Sequence, residues 1–189
     1  MTTFIGLIAE GDSDVDVIGV IVGKITTKPY SVGKNFVGDG CGKILGKCRA
    51  WAANLKARGC SLLILVHDLD TKNVKTLRNT LIDALTPAPI SNYVIVIPVR
   101  EIEAWLLADH EAIMRAVKAE KRLKKIPNPE TIDDPKKRLR KEISRITNNR
   151  KAYVSTTHNK IIAQYAQLAN LRRCSSFPPL ENFVLQHFR

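Results

Sequence analysis

The sequence predicts an α/β fold, a mostly parallel sheet with helices on both faces, followed by an all-helical C-terminal extension. Two observations carry the α/β part. Short apolar runs alternate with amphipathic segments of helix length through residues 3–118. Those runs are also continuous rather than polar at every second position, the pattern of parallel strands buried on both faces. The third observation carries the extension: beyond residue 118 only helical periodicity remains.

Each element has its own signal. TFIGLIA (3–9) reads as a short buried strand. In the segment that follows, Ser13 or Asp12 can cap a helix whose apolar positions Val17, Ile18, Ile21 and Val22 recur at helical spacing. The polar, glycine-rich YSVGKNFVGDG holds a second strand or an irregular loop. CGKILGKCRAWAANLKARG is a helix with Leu45, Cys48, Ala52 and Leu55 inward and Gly59 at its C-terminus. SLLILVH is the next strand, TKNVKTLRNTLIDALT the next helix, and NYVIVIPV a strand closed by Pro98. REIEAWLLADHEAIMRAVKAE reads as one helix with Ile102, Trp105, Leu106 and Leu107 on its apolar stripe. PKKRLRKEISRI, NKIIAQYAQLANL and LENFVLQHF are the helices of the extension. IPNPETIDDP, with three prolines, is the joint between the parts. The expected domains are 1–118 and a basic helical extension, 119–189, packed on it.

Length and composition fit a globular chain with a real core: 189 residues, 44% of them hydrophobic and 25% charged. No apolar run reaches the roughly 18 residues of a membrane span, and the N-terminus lacks the basic start of a signal peptide. The four cysteines (Cys41, Cys48, Cys60, Cys174) show no zinc-ligand spacing with the four histidines and read as reduced thiols of a cytoplasmic protein.

The net charge of +12 is unevenly placed. Residues 1–109 carry 12 Lys/Arg and 11 Asp/Glu, whereas residues 110–189 carry 18 and 7. Nine of the eleven acids in the first part fall in three knots: Glu10, Asp12, Asp14 and Asp16; Asp68 and Asp70; Glu101, Glu103 and Asp109. A solvated face explains any single charge run. The asymmetry between the halves points instead to a polyanion partner and a cation site.

In an open α/β sheet, ligands sit beyond the C-terminal ends of the strands. Glu10 ends the first strand, Asp68 and Asp70 end the third, and Glu101 and Glu103 follow the last. Carboxylates brought that close repel one another unless a cation intervenes, and a hard divalent ion, Mg²⁺ or Mn²⁺, suits oxygen ligands. One Asp-x-Asp can equally cap the helix that starts near Thr71; three converging knots favour the metal. Other motifs fail. The phosphate-loop pattern requires glycine at 37 and Ser or Thr at 44, where Val37 and Ile44 stand. A turn into a helix explains GDGCGKIL, although its backbone amides could still meet a phosphate. His67, on a regular strand, points away from the face of Asp68 and reads as structural, with catalysis the less favoured alternative. Trp51 and Trp105 read as core.

LIAEGDSD, a strand ending in Glu-Gly with an acid shortly after, resembles the first motif of the Toprim domain, and Asp68-Leu69-Asp70 resembles its Asp-x-Asp motif. Toprim domains occur in topoisomerases, primases and nucleases of the overcoming-lysogenization-defect type. PVREIEAWLLAD, NPETIDDPK and the late Ser175-Ser176-Phe177 together resemble an uncharacterised bacterial Toprim-like family, over nearly the whole chain. Its members are often encoded beside an ATP-binding-cassette (ABC) type ATPase and are suspected of a role in phage defence.

The resemblance implies a Toprim-like (Rossmann-like) domain with a phosphodiester-cleaving site dependent on Mg²⁺ or Mn²⁺. Glu10, Asp68 and Asp70 would carry over as metal ligands and catalytic residues. Glu101 and Glu103 would be extra ligands of the nuclease branch, catalytic carboxylates of which either could complete a second metal site. Asp14 is open between metal ligand and helix cap, and Glu10 between ligand and general base. Nucleic-acid contacts are expected from Arg100, from Lys121, Arg122, Lys124 and Lys125, and from Lys136, Lys137, Arg138, Arg140 and Lys141; Arg100 could instead pair with Glu103 or Asp109. Expected partners are nucleic acid and an ABC-type ATPase; a homodimer is allowed and no membrane is expected. The alternative function is a non-catalytic subunit that binds nucleic acid and the ATPase. A receiver- or dehalogenase-like phosphotransfer protein ranks last, because Pro98-Val99-Arg100 lacks the Lys and Ser/Thr that such sites place on later strand ends.

Overall fold

The computed structural model describes residues 3–26, 28–38, 41–70 and 72–188. The chain runs β1 (Thr3–Ala9), α1 (Asp12–Ile25), β2 (Tyr30–Val37), α2 (Cys41–Ala57), β3 (Leu62–Val66), α3 (Val74–Leu85), β4 (Asn92–Val96), α4 (Glu103–Leu107), α5 (His110–Val117), a 3₁₀ turn (Pro129–Thr131), α6 (Pro135–Ile146), α7 (Ser155–Tyr165), α8 (Leu168–Leu171) and α9 (Pro178–Phe188). The strands form one sheet in the order β2-β1-β3-β4, with every neighbouring pair parallel.

Strand alternation divides the core. Ile5, Leu7 and Ala9 of β1 and Leu62, Ile64 and Val66 of β3 face α1, α4–α7 and α9. Ile8 of β1 and Leu63 and Leu65 of β3 face α2 and α3, where Ile44, Leu55, Leu77 and Leu81 are fully or nearly buried. Helices therefore cover both faces, as the continuous apolar strands require. Gly6 sets how closely β1 meets α2: a Cβ there would lie 2.8 Å from Leu55 Cδ1. Gly59 closes α2 at φ 88°, in the left-handed region glycine favours.

Residues 119–189 add no separate core. Leu139, Ile143, Ile162, Phe177 and Val184 belong to the same buried cluster as β1 and α1. Two polar clasps fix them there. Lys24 Nζ of α1 donates to the carbonyls of Gln164 (2.7 Å) and Ala166 (2.9 Å) at the C-terminus of α7. The Glu130 carboxylate accepts from the amides and hydroxyls of Ser175 and Ser176, four bonds of 2.6–3.0 Å. Ser176 Oγ also accepts from Trp105 Nε1 at 2.7 Å. The segments NPETIDDPK and Ser175-Ser176-Phe177, remote in sequence, are thus one clasp around the start of α9.

The long helix read across 100–120 is two. Asp109 accepts from Ala112 N–H as the N-cap of α5, and its other oxygen binds Gln167 N–H and Asn170. This acid is a joint, held below the usual carboxylate range by those bonds in spite of burial. Asn73 caps α3 by accepting from Lys75 and Thr76 amides. Among the described residues no helix is long and apolar enough to cross a membrane.

Candidate metal centre

The order β2-β1-β3-β4 puts a topological switch between β1 and β3, where an open crevice forms at the C-terminal strand ends. Glu10 leaves β1 there and Asp68 leaves β3, and the Asp68 amide donates to Glu10 Oε1 at 2.9 Å. A cavity of about 300 Å³ opens at this point, lined by Glu10, Gly11, Ser13, Asp14, Asp68, Glu101, Glu103 and Lys136. Five carboxylates share it with a single lysine among the described lining residues.

Three of these carboxylates are held by one oxygen. Glu10 Oε1 takes the Asp68 amide and His67 Nδ1, the latter at 2.9 Å. Glu101 Oε2 takes the backbone N–H of Lys136, in the first turn of α6, at 2.9 Å. Glu103 Oε1 takes Asn159 Nδ2 at 3.1 Å and lies 3.0 Å from Tyr153 Oη. Tyr153 Oη is also 2.6 Å from Asn159 Oδ1, so its one proton serves one of these contacts at a time. Among the described residues no hydrogen bond reaches Glu10 Oε2, Glu101 Oε1 or Glu103 Oε2. Asp14 does cap α1, accepting from Gly11 N–H at 2.9 Å, and it lines the cavity as well.

Crowding shows in the protonation. Burial, and then the charge of Glu103, pushes the Asp14 carboxyl up to about 7. Burial and then Asp14, Glu10 and Glu103 push Asp68 well above the usual range. Burial also raises Glu101, against the Lys136 amide. Glu10 behaves oppositely: burial raises it, but the bonds from His67 and the Asp68 amide and the nearby positive charge bring it below its ordinary value.

The donor set fits a hard divalent cation. It consists of carboxylate oxygens, three of the carboxylates are each held by a partner behind them, and among the described residues Asp68 Oδ1 is buried with no hydrogen-bond partner. Among the described residues no three His, Cys, Asp or Glu side chains stand in a ready-made ligand cluster.

Other expected residues lie elsewhere. Asp70 is not brought into this cavity. β3 ends at Val66, and Asp70 adopts φ 51°, its N–H donating to Arg100 O at 3.1 Å, so the side chain lines a neighbouring cleft with Arg100. Arg100 pairs with Asp133, not with Glu103 or Asp109. α6 splits its basic run. Lys136, Lys137 and Arg140 line the cleft beside the carboxylates. Arg138 instead pairs with Glu142 at 2.8 Å and lines a separate surface depression with Arg122 and Lys124. Lys121 and Lys141 line another, and Lys125 shares one with Lys124 and Arg138. The glycine-rich turn at 38–42 falls partly outside the described residues, at 39, 40 and the Cys41 side chain.

Sequence reasoning missed two groups. Strand alternation turns His67 away from Asp68, but its ring reaches Glu10 because the strand has already ended. Tyr153 and Asn159 come from the extension, with no local signal tying them to Glu103.

A family model matches residues 31–185, most of the chain. The chain belongs to DUF4276, a domain of unknown function. No curated protein and no solved structure matches it. In this DUF4276 chain the matched span holds Asp68, Glu101, Glu103, Tyr153, Asn159 and the Glu130–Ser176 clasp, whereas Glu10 and Asp14 precede it.

Proposed function

We propose that the DUF4276 chain is a divalent-metal-dependent nuclease of Toprim-like design. The observation that carries this reading is the cavity at the sheet's switch point, where four other carboxylates join Asp68, whose Oδ1 is buried without a hydrogen-bond partner among the described residues, beside a cleft lined by four cations and four carboxylates. Glu10, Asp14, Asp68 and Glu103 would hold Mg²⁺ or Mn²⁺, with Glu101 completing the set on the side of the cleft. Such a cation, when bound, lowers the pKa of a coordinated water and offsets charge gathering on the phosphoryl oxygens.

The chain's own groups do the rest. His67 and the Asp68 amide keep Glu10 ionised and leave its Oε2 free. Tyr153 and Asn159 hold Glu103 by its Oε1 from behind and leave its Oε2 free. Lys136, which lines both cavity and cleft, supplies positive charge to a phosphate held between them. Hydrolysis then joins a water oxygen to phosphorus, breaks one ester P–O bond and returns a proton to the departing oxygen.

The Toprim relationship, an ABC-type ATPase partner and a part in phage defence rest on the sequence resemblance. The test incubates plasmid, single-stranded DNA and tRNA with the protein in Mg²⁺ or Mn²⁺, with and without such an ATPase. Cleavage that is lost in Asp68→Asn and in Glu10→Gln supports the reading. Nucleic acid that binds but is never cut, even with the ATPase, replaces it with a non-catalytic binding subunit.

A further inference from the structure

Next to the carboxylate cavity lies a second one, of about 420 Å³, lined by Asp70, Arg100, Glu101, Asp133, Asp134, Lys136, Lys137 and Arg140. The two share Glu101 and Lys136, so whatever enters the cleft reaches the carboxylates at its edge. Its cations are differently engaged. No ion pair among the described residues holds Lys136, Lys137 or Arg140, whereas Arg138 and Arg145, on another side of α6, are both paired with Glu142. The helix therefore turns its cations that lack an ion pair toward the cleft, where they share the lining with Asp70, Glu101, Asp133 and Asp134.

Arg100 is set apart by its backbone. It adopts φ 65°, opposite Asp70 at φ 51°, and the two left-handed residues are joined by Asp70 N–H donating to Arg100 O. Non-glycine residues hold that conformation only where their surroundings impose it, and such positions concentrate at binding sites. The guanidinium is aimed as well: Nη1 donates to Asp70 O at 3.2 Å, and Nη2 meets Asp133 Oδ1 at 2.9 Å. Among the described residues Asp133 makes no other side-chain bond, and its side chain is 91% exposed. Its neighbour Asp134 differs, being fixed as the N-cap of α6 by Lys137 N–H at 2.7 Å. An ion pair with so exposed a carboxylate contributes little and exchanges readily. A phosphate offers the planar guanidinium a better, two-point partner.

We propose that this cleft is a phosphodiester-binding subsite for nucleic acid, and that Asp133 occupies its arginine in the free protein until a backbone phosphate replaces it. The subsite extends the nuclease reading, which supplies the neighbouring carboxylates. Asp133 acts as an internal competitor that lowers affinity for weak anions while leaving a polyanion, which also engages Lys136, Lys137 and Arg140, able to displace it.

The experiment measures binding without cleavage. Fluorescence anisotropy of labelled single-stranded DNA and RNA is titrated in EDTA, over a series of salt concentrations, for the full chain and for Arg100→Gln, Arg100→Lys, Asp133→Asn and the Arg100→Gln/Asp133→Asn double variant. Asp83→Asn, an exposed acid at the far end of α3, controls for net charge. Asp133→Asn is expected to tighten binding severalfold more than Asp83→Asn. Arg100→Gln should weaken it and lower the salt slope by about one. Arg100→Lys should lie between, since charge returns without the fork. The gain from Asp133→Asn should disappear in the Arg100→Gln background, the signature of direct coupling. Equal gains from Asp133→Asn and Asp83→Asn, a gain that survives without Arg100, or no nucleic-acid binding at all would overturn the subsite. The nuclease reading fails separately: binding that follows these rules without any cleavage in Mg²⁺ or Mn²⁺ leaves the subsite standing.

Discussion

His67 and Glu10 meet at 2.9 Å, Nδ1 to Oε1, in a place where the histidine has no solvent exposure. Nδ1 also lies 2.8 Å from the Asp68 carbonyl, and two acceptors on one nitrogen mean that it carries the proton. Nε2 is buried without a hydrogen-bond partner among the described residues. The ring is thus a donor behind a carboxylate, the arrangement that fixes metal-ligand orientation in built sites.

This pair gives a pH signature. Glu10 is depressed from 4.5, so its share of stability is present above that value and fades as pH falls through its folded pKa. His67 is raised from 6.5, because the hydrogen bond and charge of Glu10 outweigh burial, so its share is present below 6.5 and fades as pH rises through its folded pKa. The stability difference between wild type and His67→Gln should therefore peak between pH 4.5 and 6.5 and shrink as pH rises through the folded pKa of His67, as read from urea melts at each pH. A difference flat across that range would remove the ionic part of the contact.

Asp68 gives the opposite slope. Its folded pKa lies above the ordinary 3.8, so between the two values the native state binds the extra proton and stability falls as pH rises. Without divalent ions, Asp68→Asn should melt higher than wild type at pH 8 and closer to it at pH 5. Millimolar Mg²⁺ or Mn²⁺ should raise the wild-type melting temperature by a few degrees and the variant's by less. Indifference of both proteins to the cations would count against the site.

Tyr153→Phe keeps the ring and removes the hydroxyl beside Glu103. Its expected effects are a loss of about 1 kcal/mol in stability and a 10- to 100-fold weaker affinity for Mn²⁺ by calorimetry. A stability loss with unchanged Mn²⁺ affinity would make Tyr153 a packing residue only.

Ser176→Ala should be the more damaging surface-adjacent change. It strands Trp105 Nε1 and removes the hydroxyl's bond to Glu130 Oε1, which keeps the Ser176 amide, costing about 2 kcal/mol and lowering the melting temperature by roughly 4–8 °C. The buried indole should report it through a shifted fluorescence maximum; an unshifted spectrum and melt would dissolve the clasp.

The two sides of α6 should differ in solution. Lys137→Ala with Arg140→Ala should flatten the salt dependence of nucleic-acid binding by up to about two, whereas Arg138→Ala, already paired with Glu142, should change it little. Equal slopes for the two sets would mean that the helix does not present one face to the ligand.

The fold was readable because its strands are apolar throughout and its helices are not; parallel order and helices on both faces follow from that alone. Glu10, Asp68, Glu101 and Glu103 were readable as charges placed just past buried strands. Asp70 and His67 were not, since two-residue alternation holds only within a strand, and β3 stops at Val66. Asp109 looked like one more acid of a knot until its bonds to Ala112, Gln167 and Asn170 showed it joining helices. Tyr153 and Asn159 act on Glu103 across 50 and 56 residues, a relationship no local pattern encodes.

The clasp of Glu130 by Ser175 and Ser176 has a further consequence, for the chain as it is made. Synthesis delivers β1 to β4 and the start of α4 first, and with them the five carboxylates that line the cavity. The groups that aim Glu103 emerge only with residues 153–159, and the serines that lock the 3₁₀ turn beside α6 follow later still. A nascent chain therefore carries its acids before the groups that hold Glu103 and the 3₁₀ turn have been made, and those contacts wait for the last third of the chain.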